Sequence, residues 1–224
     1  MTTISAEDKQ FIQTNSMMAV AAYGEKPLAG NWAPLQGRDD LAVVDTASGF
    51  MARVYVSTDP NVRQILVAVA GTNGFNDAWA YLNAYIGWST NTKSFQDALK
   101  FGSELKNFLA SSEKYSGYSI ATSGHSWGEL FAQMFTYTFG WKGVGFDGVG
   151  AASVINSEGY KNELTTLNET AVGGSSFITC DTAGISIGPI KFGGGGIGSL
   201  GIDIAGVRQG TIEVGWELKG SASD

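Results

Sequence analysis

Residues 122–130 read Thr-Ser-Gly-His-Ser-Trp-Gly-Glu-Leu, and this stretch constrains the fold more than any other in the chain. Within it, Gly124-His125-Ser126-Trp127-Gly128 is a G-x-S-x-G pentapeptide. An apolar, strand-like run (Tyr118, Ile120, Ala121) leads into it, and an apolar, helix-like run (Leu130, Phe131, Met134, Phe135) leads out. A serine on so sharp a strand-to-helix turn needs small neighbours, because the backbone is strained and packs closely against itself. Its hydroxyl then projects beyond the sheet, and the helix N-terminus behind it favours developing negative charge. The pentapeptide alone is a weak signal in a chain with 31 glycines, and Gly184-Ile185-Ser186-Ile187-Gly188 repeats it. That second copy runs into Pro189 and alternating apolar residues, so it reads as strand or turn. Only the copy at Ser126 has a strand before it and a helix after it.

The remaining sequence supplies a sheet for this turn. Ser5 reads as a helix N-cap with Glu7 and Asp8 in the first turn, and Phe11, Ile12, Met18 and Ala22 recur near helical spacing up to Gly24. Residues 30–40 read as a loop, and 41–44 and 50–56 as strands joined by a turn at 45–49. The unbroken apolar run at 65–70 suits a strand buried on both faces. Residues 77–86 and 94–114 read as helices, 141–146 as a strand, 158–167 as helical and 176–179 as a strand. From Ile185 onward the sequence is glycine-rich and β-like. Strands alternating with helices predict an α/β architecture, with a central, mainly parallel sheet flanked by helices. Neither repeats nor a linker interrupt the pattern, so residues 1–224 read as one domain.

Composition narrows the partners. The formal net charge is −7 and basic residues are scattered, which argues against nucleic acid and against strong attachment to anionic lipid. One cysteine (Cys180) and one histidine (His125) exclude an internal disulfide and make structural zinc improbable. No apolar run reaches bilayer-spanning length, and the first ten residues lack the pattern of a Sec signal. The expectation is a cytoplasmic protein by default, with export by a route lacking an N-terminal signal left open. Gly196-x-Gly198-x-x-Gly201 has the form of a dinucleotide fingerprint, but β-like sequence follows it where a helix should start. No cofactor is expected. No residue points to a particular protein partner.

The ordered set of motifs resembles the class 3 lipase branch of the α/β-hydrolases. Gly-His-Ser-Trp-Gly is similar to that family's Gly-His-Ser-Leu-Gly. Val67-Ala68-Val69-Ala70-Gly71-Thr72 resembles its oxyanion-loop strand, Asp77-Ala78-Trp79 with Asn83 resembles the pattern that follows, and Phe177-Ile178-Thr179-Cys180-Asp181 sits where its acid strand ends. The resemblance spans roughly residues 15–190 and implies an α/β-hydrolase-like fold acting on lipid or small ester substrates. It implies Ser126 as nucleophile, Thr72 and Trp127 as backbone oxyanion donors, and Asp181 as the acid, with Asp147 a rival that also ends a strand.

Three departures stand out. Ala70 replaces the usual arginine. Glu129 follows the elbow where a second glycine is common, adding negative charge to the start of the helix. No histidine follows Asp181, and Gln209 is the residue nearest the position expected for it. Neighbouring side chains on an elbow diverge, so His125 is expected to pack beneath the turn rather than to take the serine's proton directly. The missing base has three explanations: it was lost, it lies beyond Asp224 or on a partner, or another residue such as Lys191 serves. The sequence therefore predicts a lipase-like serine ester hydrolase. The alternative is a non-catalytic lipid- or partner-binding protein on the same scaffold.

Overall fold

A computed structural model describes residues 5–24, 31–71, 93–148, 150–173, 176–180, 185–187, 190–192 and 207–209. In chain order the elements are α1 (Ala6–Ala21), β1 (Trp32–Pro34), α2 (Asp39–Ala42), β2 (Val43–Asp45), β3 (Met51–Ser57) and β4 (Gln64–Val69). Then come α3 (Lys93–Ser111), a 3₁₀ turn at Glu113–Tyr115, β5 (Ser119–His125), α4 (Trp127–Phe139), β6 (Lys142–Phe146), α5 (Ala152–Ile155), α6 (Glu158–Thr166) and β7 (Phe177–Cys180). The short strands β8 (Ile185–Ile187), β9 (Ile190–Phe192) and β10 (Val207–Gln209) complete the set.

Among the described residues one eight-stranded sheet runs β1-β3-β4-β5-β6-β7-β10, with β2 also paired to β3. From β4 to β10 every pairing is parallel, while β1, β2 and β4 pair antiparallel with β3. This is the mainly parallel, helix-flanked sheet that the sequence predicts. Strand β4 shows why it forms. Ile65, Val67 and Val69 face one apolar cluster with residues of α3 and α4, whereas Leu66 and Ala68 face another with Met18 and Ala21 of α1. Side chains alternate across a strand, so an unbroken apolar run fills both layers at once.

The layer on the α3/α4 side is built from aromatic rings. Phe50 packs on Phe101, Phe131 and Phe135 with centroids 5.5, 5.2 and 6.2 Å away. On the opposite face α1 starts at Ser5, whose hydroxyl accepts the Asp8 amide at 3.0 Å, as its N-cap pattern predicts. The buried Ser123 hydroxyl of β5 donates to Asn15 O at 2.7 Å and ties this helix to the elbow strand.

Some boundaries differ from the sequence reading. Residues 31–44 hold the edge strand β1 and the helical turn α2 rather than a loop running into one strand. Helix α3 ends at Ser111, with the 3₁₀ turn completing the stretch. The helix expected at 77–86 lies outside the described residues. The second G-x-S-x-G is strand, as expected: Ser186 lies in β8, which pairs antiparallel with β9 and places Ser186 opposite Lys191.

Candidate active site

Parallel register aligns the carboxyl ends of the strands. Val69 of β4 pairs with Gly124, His125 of β5 with Phe146, Phe146 of β6 with Cys180, and Thr179 of β7 with Gln209 of β10. The chain therefore leaves the sheet along one edge at Gly71, Ser126 and Asp147, and Gln209 reaches that same edge. In open α/β sheets this edge is where ligands bind.

Ser126 occupies the turn between β5 and α4 at φ 55°, ψ −123°. A side chain rarely adopts that conformation, and it costs about 1–3 kcal/mol. Local bonds hold it: Ser126 N–H donates to Phe146 O at 2.8 Å, and Ser126 O accepts the Glu129 amide at 3.1 Å. The two glycines of the pentapeptide are steric necessities. A Cβ at Gly124 would stand 2.1 Å from Gly128 O, and one at Gly128 would stand 2.3 Å from Val69 O. Strand, turn and helix touch through backbone alone, which is the elbow expected from the sequence.

Trp127 is the first residue of α4, so its amide belongs to the group at a helix start that the intrahelical ladder does not use. Its buried indole stacks on Phe95 of α3, with centroids 6.4 Å apart and planes inclined by 25°. Asp147 follows β6 in left-handed backbone at φ 52°, and its N–H donates to Cys180 O at 3.0 Å, joining the ends of β6 and β7. Thr72 and Asp181 lie outside the described residues. The backbone of Gln209 ends β10 beside β7.

Glu129 differs from expectation. Its side chain is 1% exposed and turns back into the protein, so it adds no exposed charge to the elbow. One carboxyl oxygen accepts the Gly148 amide at 2.8 Å and the other accepts the Gln133 side-chain amide at 3.0 Å. Gln133 Oε1 in turn accepts the Ala151 amide at 2.9 Å. Room for the carboxyl comes from Gly145 and Gly148, where a Cβ would come within 2.2 Å and 2.3 Å of Glu129. A buried polar side chain is tolerable only when its hydrogen bonds are made, and here they anchor the segment after β6 to the elbow helix.

His125 also differs. It does not pack beneath the turn; it keeps an exposed face, and its Nδ1 lies 3.2 Å from the Tyr23 hydroxyl. Tyr23 Oη simultaneously accepts the Gly71 amide at 2.8 Å. A Cβ built on Gly71 would stand 2.7 Å from Tyr23 Oη and 3.1 Å from Ser126 Cβ, so the phenol and the serine crowd one point. Desolvation by the surrounding protein holds the His125 pKa below the ordinary imidazole value, with the Asp147 charge opposing it. Burial pushes the Tyr23 pKa up, and the Gly71 hydrogen bond opposes that.

Tyr23 is the residue that sequence reasoning missed. It is delivered by the end of α1, where Tyr55 Oη donates to Ala21 O and Arg53 Nε to Ala22 O, each at 3.3 Å. The Tyr-Gly pair closing a predicted helix is the only local mark it leaves. Among the described residues no group of acids, histidines and cysteines could hold a metal ion, and no helix is long and apolar enough to cross a membrane.

No protein-family model matches the chain, and no curated protein matches it. Solved structures similar to it include Lip2 lipase from Yarrowia lipolytica, at 18% identity over 80% of this chain and 72% of that one, with a TM-score of 0.41. The Rhizomucor miehei lipase propeptide complex matches at 11% identity over 80% of this chain and 62% of that one, with a TM-score of 0.43. A lipase from Rhizopus microsporus var. chinensis matches at 15% identity over 80% and 68% of the two chains, with a TM-score of 0.48. At these identities the chemistry rests on the geometry of this chain's own residues.

Proposed function

We propose that this chain is a lipase-like serine hydrolase of carboxylic esters, with lipid or phospholipid esters as its substrate class. The observation that carries the reading is the Ser126 backbone, held at φ 55°, ψ −123° between the end of a central parallel strand and the start of a helix. A fold retains a strained residue only where surrounding structure over-determines it, and such residues cluster at sites of function. In this reading Ser126 Oγ attacks the ester carbonyl carbon and the carbonyl oxygen becomes an oxyanion. The Trp127 and Thr72 amides stabilise that charge, each donor contributing about 3 kcal/mol. The serine proton passes to the base of the site and from it to the departing alcohol. Water then hydrolyses the acyl-serine by the same proton route, and Asp181 or Asp147 is the acid that stabilises the charged base. Covalent capture by a fluorophosphonate, lost in Ser126→Ala, tests the reading.

One observation favours a second reading. Within these 224 residues the one histidine is His125, adjacent to the serine, so this sequence offers no separate imidazole for a Ser-His-Asp site. The scaffold would then bind a lipid or another partner without turning it over. Hydrolysis of p-nitrophenyl butyrate and octanoate separates the two. A parent silent on both esters, with activity gained in Gln209→His, supports the second reading; Ser126-dependent turnover in the parent supports the first.

A further inference from the structure

Given the hydrolase reading of Ser126, on which this inference rests, we propose that Tyr23 and His125 form a two-step proton relay that replaces the separate histidine base. As Ser126 Oγ bonds to the ester carbonyl carbon, its proton passes to Tyr23 Oη and the proton of Tyr23 passes to His125 Nδ1. The phenol ends as neutral as it began, and the imidazole becomes imidazolium. When the tetrahedral intermediate collapses and the C–O bond to the alcohol breaks, the proton returns from His125 through Tyr23 to the departing oxygen. Water repeats the cycle on the acyl-serine. Protons and charge balance with no further reactant.

Three geometric facts carry the proposal. Tyr23 Oη lies 3.2 Å from His125 Nδ1, within reach of proton transfer. Tyr23 Oη and Ser126 Cβ stand 2.7 Å and 3.1 Å from the same point above Gly71, which places them less than about 6 Å apart. A serine Oγ is one bond beyond Cβ, so the relay requires the staggered Ser126 rotamer that carries Oγ toward the phenol as substrate binds. Finally, the Gly71 amide fixes the phenol by donating to it at 2.8 Å, and with the imidazole proton on Nε2 the Tyr23 hydroxyl is the donor to Nδ1.

The relay removes the objection to His125 as base. Adjacent side chains at the elbow diverge, so imidazole cannot meet the serine proton in line, but Tyr23 spans the gap from a different element. The electrostatics suit these roles. Desolvation keeps the imidazole neutral at neutral pH and able to accept a proton, while the nearby Asp147 charge stabilises the imidazolium once formed. Burial keeps Tyr23 a neutral phenol, fit to pass a proton rather than to act as a standing tyrosinate. Among the described residues, Tyr23 after α1 and Asp147 after β6 are the ionisable groups that act on His125.

The test is the rate of Ser126 labelling by a fluorophosphonate as a function of pH, in the parent, Tyr23→Phe, His125→Gln and His125→Asn, with thermal unfolding of each. The relay requires at least a roughly 100-fold loss in Tyr23→Phe and in His125→Gln, within the usual range for general-base catalysis. A chain carrying both Tyr23→Phe and His125→Gln should lose no more than either single variant, because the two residues act as a unit. His125→Asn keeps a hydrogen-bond acceptor for Tyr23 but no basicity, so it should be as slow as His125→Gln although its elbow stays braced. The parent rate should rise with pH through an ionisation below the ordinary imidazole value, and both His125 variants should lack that limb. A merely structural role would leave the limb in place. Labelling undiminished in Tyr23→Phe, or a surviving limb in His125→Gln, overturns the relay while leaving the hydrolase reading intact. A folded parent with no Ser126-dependent labelling overturns both.

Discussion

The Glu129 carboxyl accepts the Gly148 amide at 2.8 Å, fastening the segment that follows β6 to the helix that carries the elbow. Deleting that carboxyl leaves the Gly148 amide and the Gln133 side chain in a space with little water. Loss of a partner for a buried polar group costs about 1–3 kcal/mol, and the vacated volume adds to it. Glu129→Ala is therefore expected to lower the midpoint of thermal unfolding by several degrees, and Glu129→Gln, which keeps one acceptor oxygen in the same volume, by less. Equal losses in the two variants would contradict a hydrogen-bonding role.

Gly124 and Gly128 let strand and helix meet through backbone alone. Alanine at either position would drive a methyl to within 2.1–2.3 Å of a carbonyl oxygen, and backbone there cannot yield cheaply. Gly173 is a control: its φ is +69° and nothing lies within 4 Å of an added Cβ, so alanine there meets only conformational strain of about 1–2 kcal/mol. Denaturant titration should show Gly128→Ala losing clearly more stability than Gly173→Ala. Equal losses would mean that the close approach at the elbow is not as described.

Strain at Ser126 is itself measurable. Glycine takes positive φ without steric cost, whereas alanine keeps the penalty. Ser126→Gly should gain about 1 kcal/mol of unfolding free energy over Ser126→Ala, less the entropy of a freer unfolded chain. An unstrained site would instead leave alanine the more stable by the full entropic difference of about 0.4–1 kcal/mol, and that result would contradict the strain.

Glu169 gives the fold an acid-sensitive contact. Burial tends to raise its pKa, but hydrogen bonds from Lys106 and Ser103 of α3 outweigh that and hold it below the ordinary glutamate value. A depressed folded-state pKa adds stability that is fully present above the unfolded-state value and is lost as pH falls through the folded-state value. Glu169→Gln should thus unfold at lower temperature than the parent near neutrality, and the gap should close in acid. A gap independent of pH would assign the loss to packing rather than charge.

How much of this was legible in the sequence follows from where each determinant lies. The elbow was legible because its causes are local: two glycines, one serine, and a change of hydrophobic period across them. Strand β4 was legible because both of its faces are buried, so no alternation was needed to recognise it. Residues 31–44 misled because the α2 turn is short: Ala42 N–H bonds back to Arg38 O at 2.9 Å before Val43 begins β2. Pro34 looked like a loop residue, yet it sits in the edge strand β1, where a missing N–H is tolerated. Glu129 read as an added charge, since nothing near it announces the glycines at 145 and 148 that house it. Tyr23 was invisible because its partners, Gly71 and His125, lie 48 and 102 residues away. Local rules place a serine on a turn, but only tertiary structure shows which phenol and imidazole stand beside it.

The most direct measurement is fluorophosphonate labelling of the folded chain, read by mass spectrometry of the peptide that contains Ser126, beside Ser126→Ala. An activated Ser126 gives one covalent adduct on that residue, absent from the alanine variant and formed faster as pH rises into the neutral range. A folded parent that remains unmodified, or an adduct that persists in Ser126→Ala, would contradict the claim that this elbow presents an activated serine.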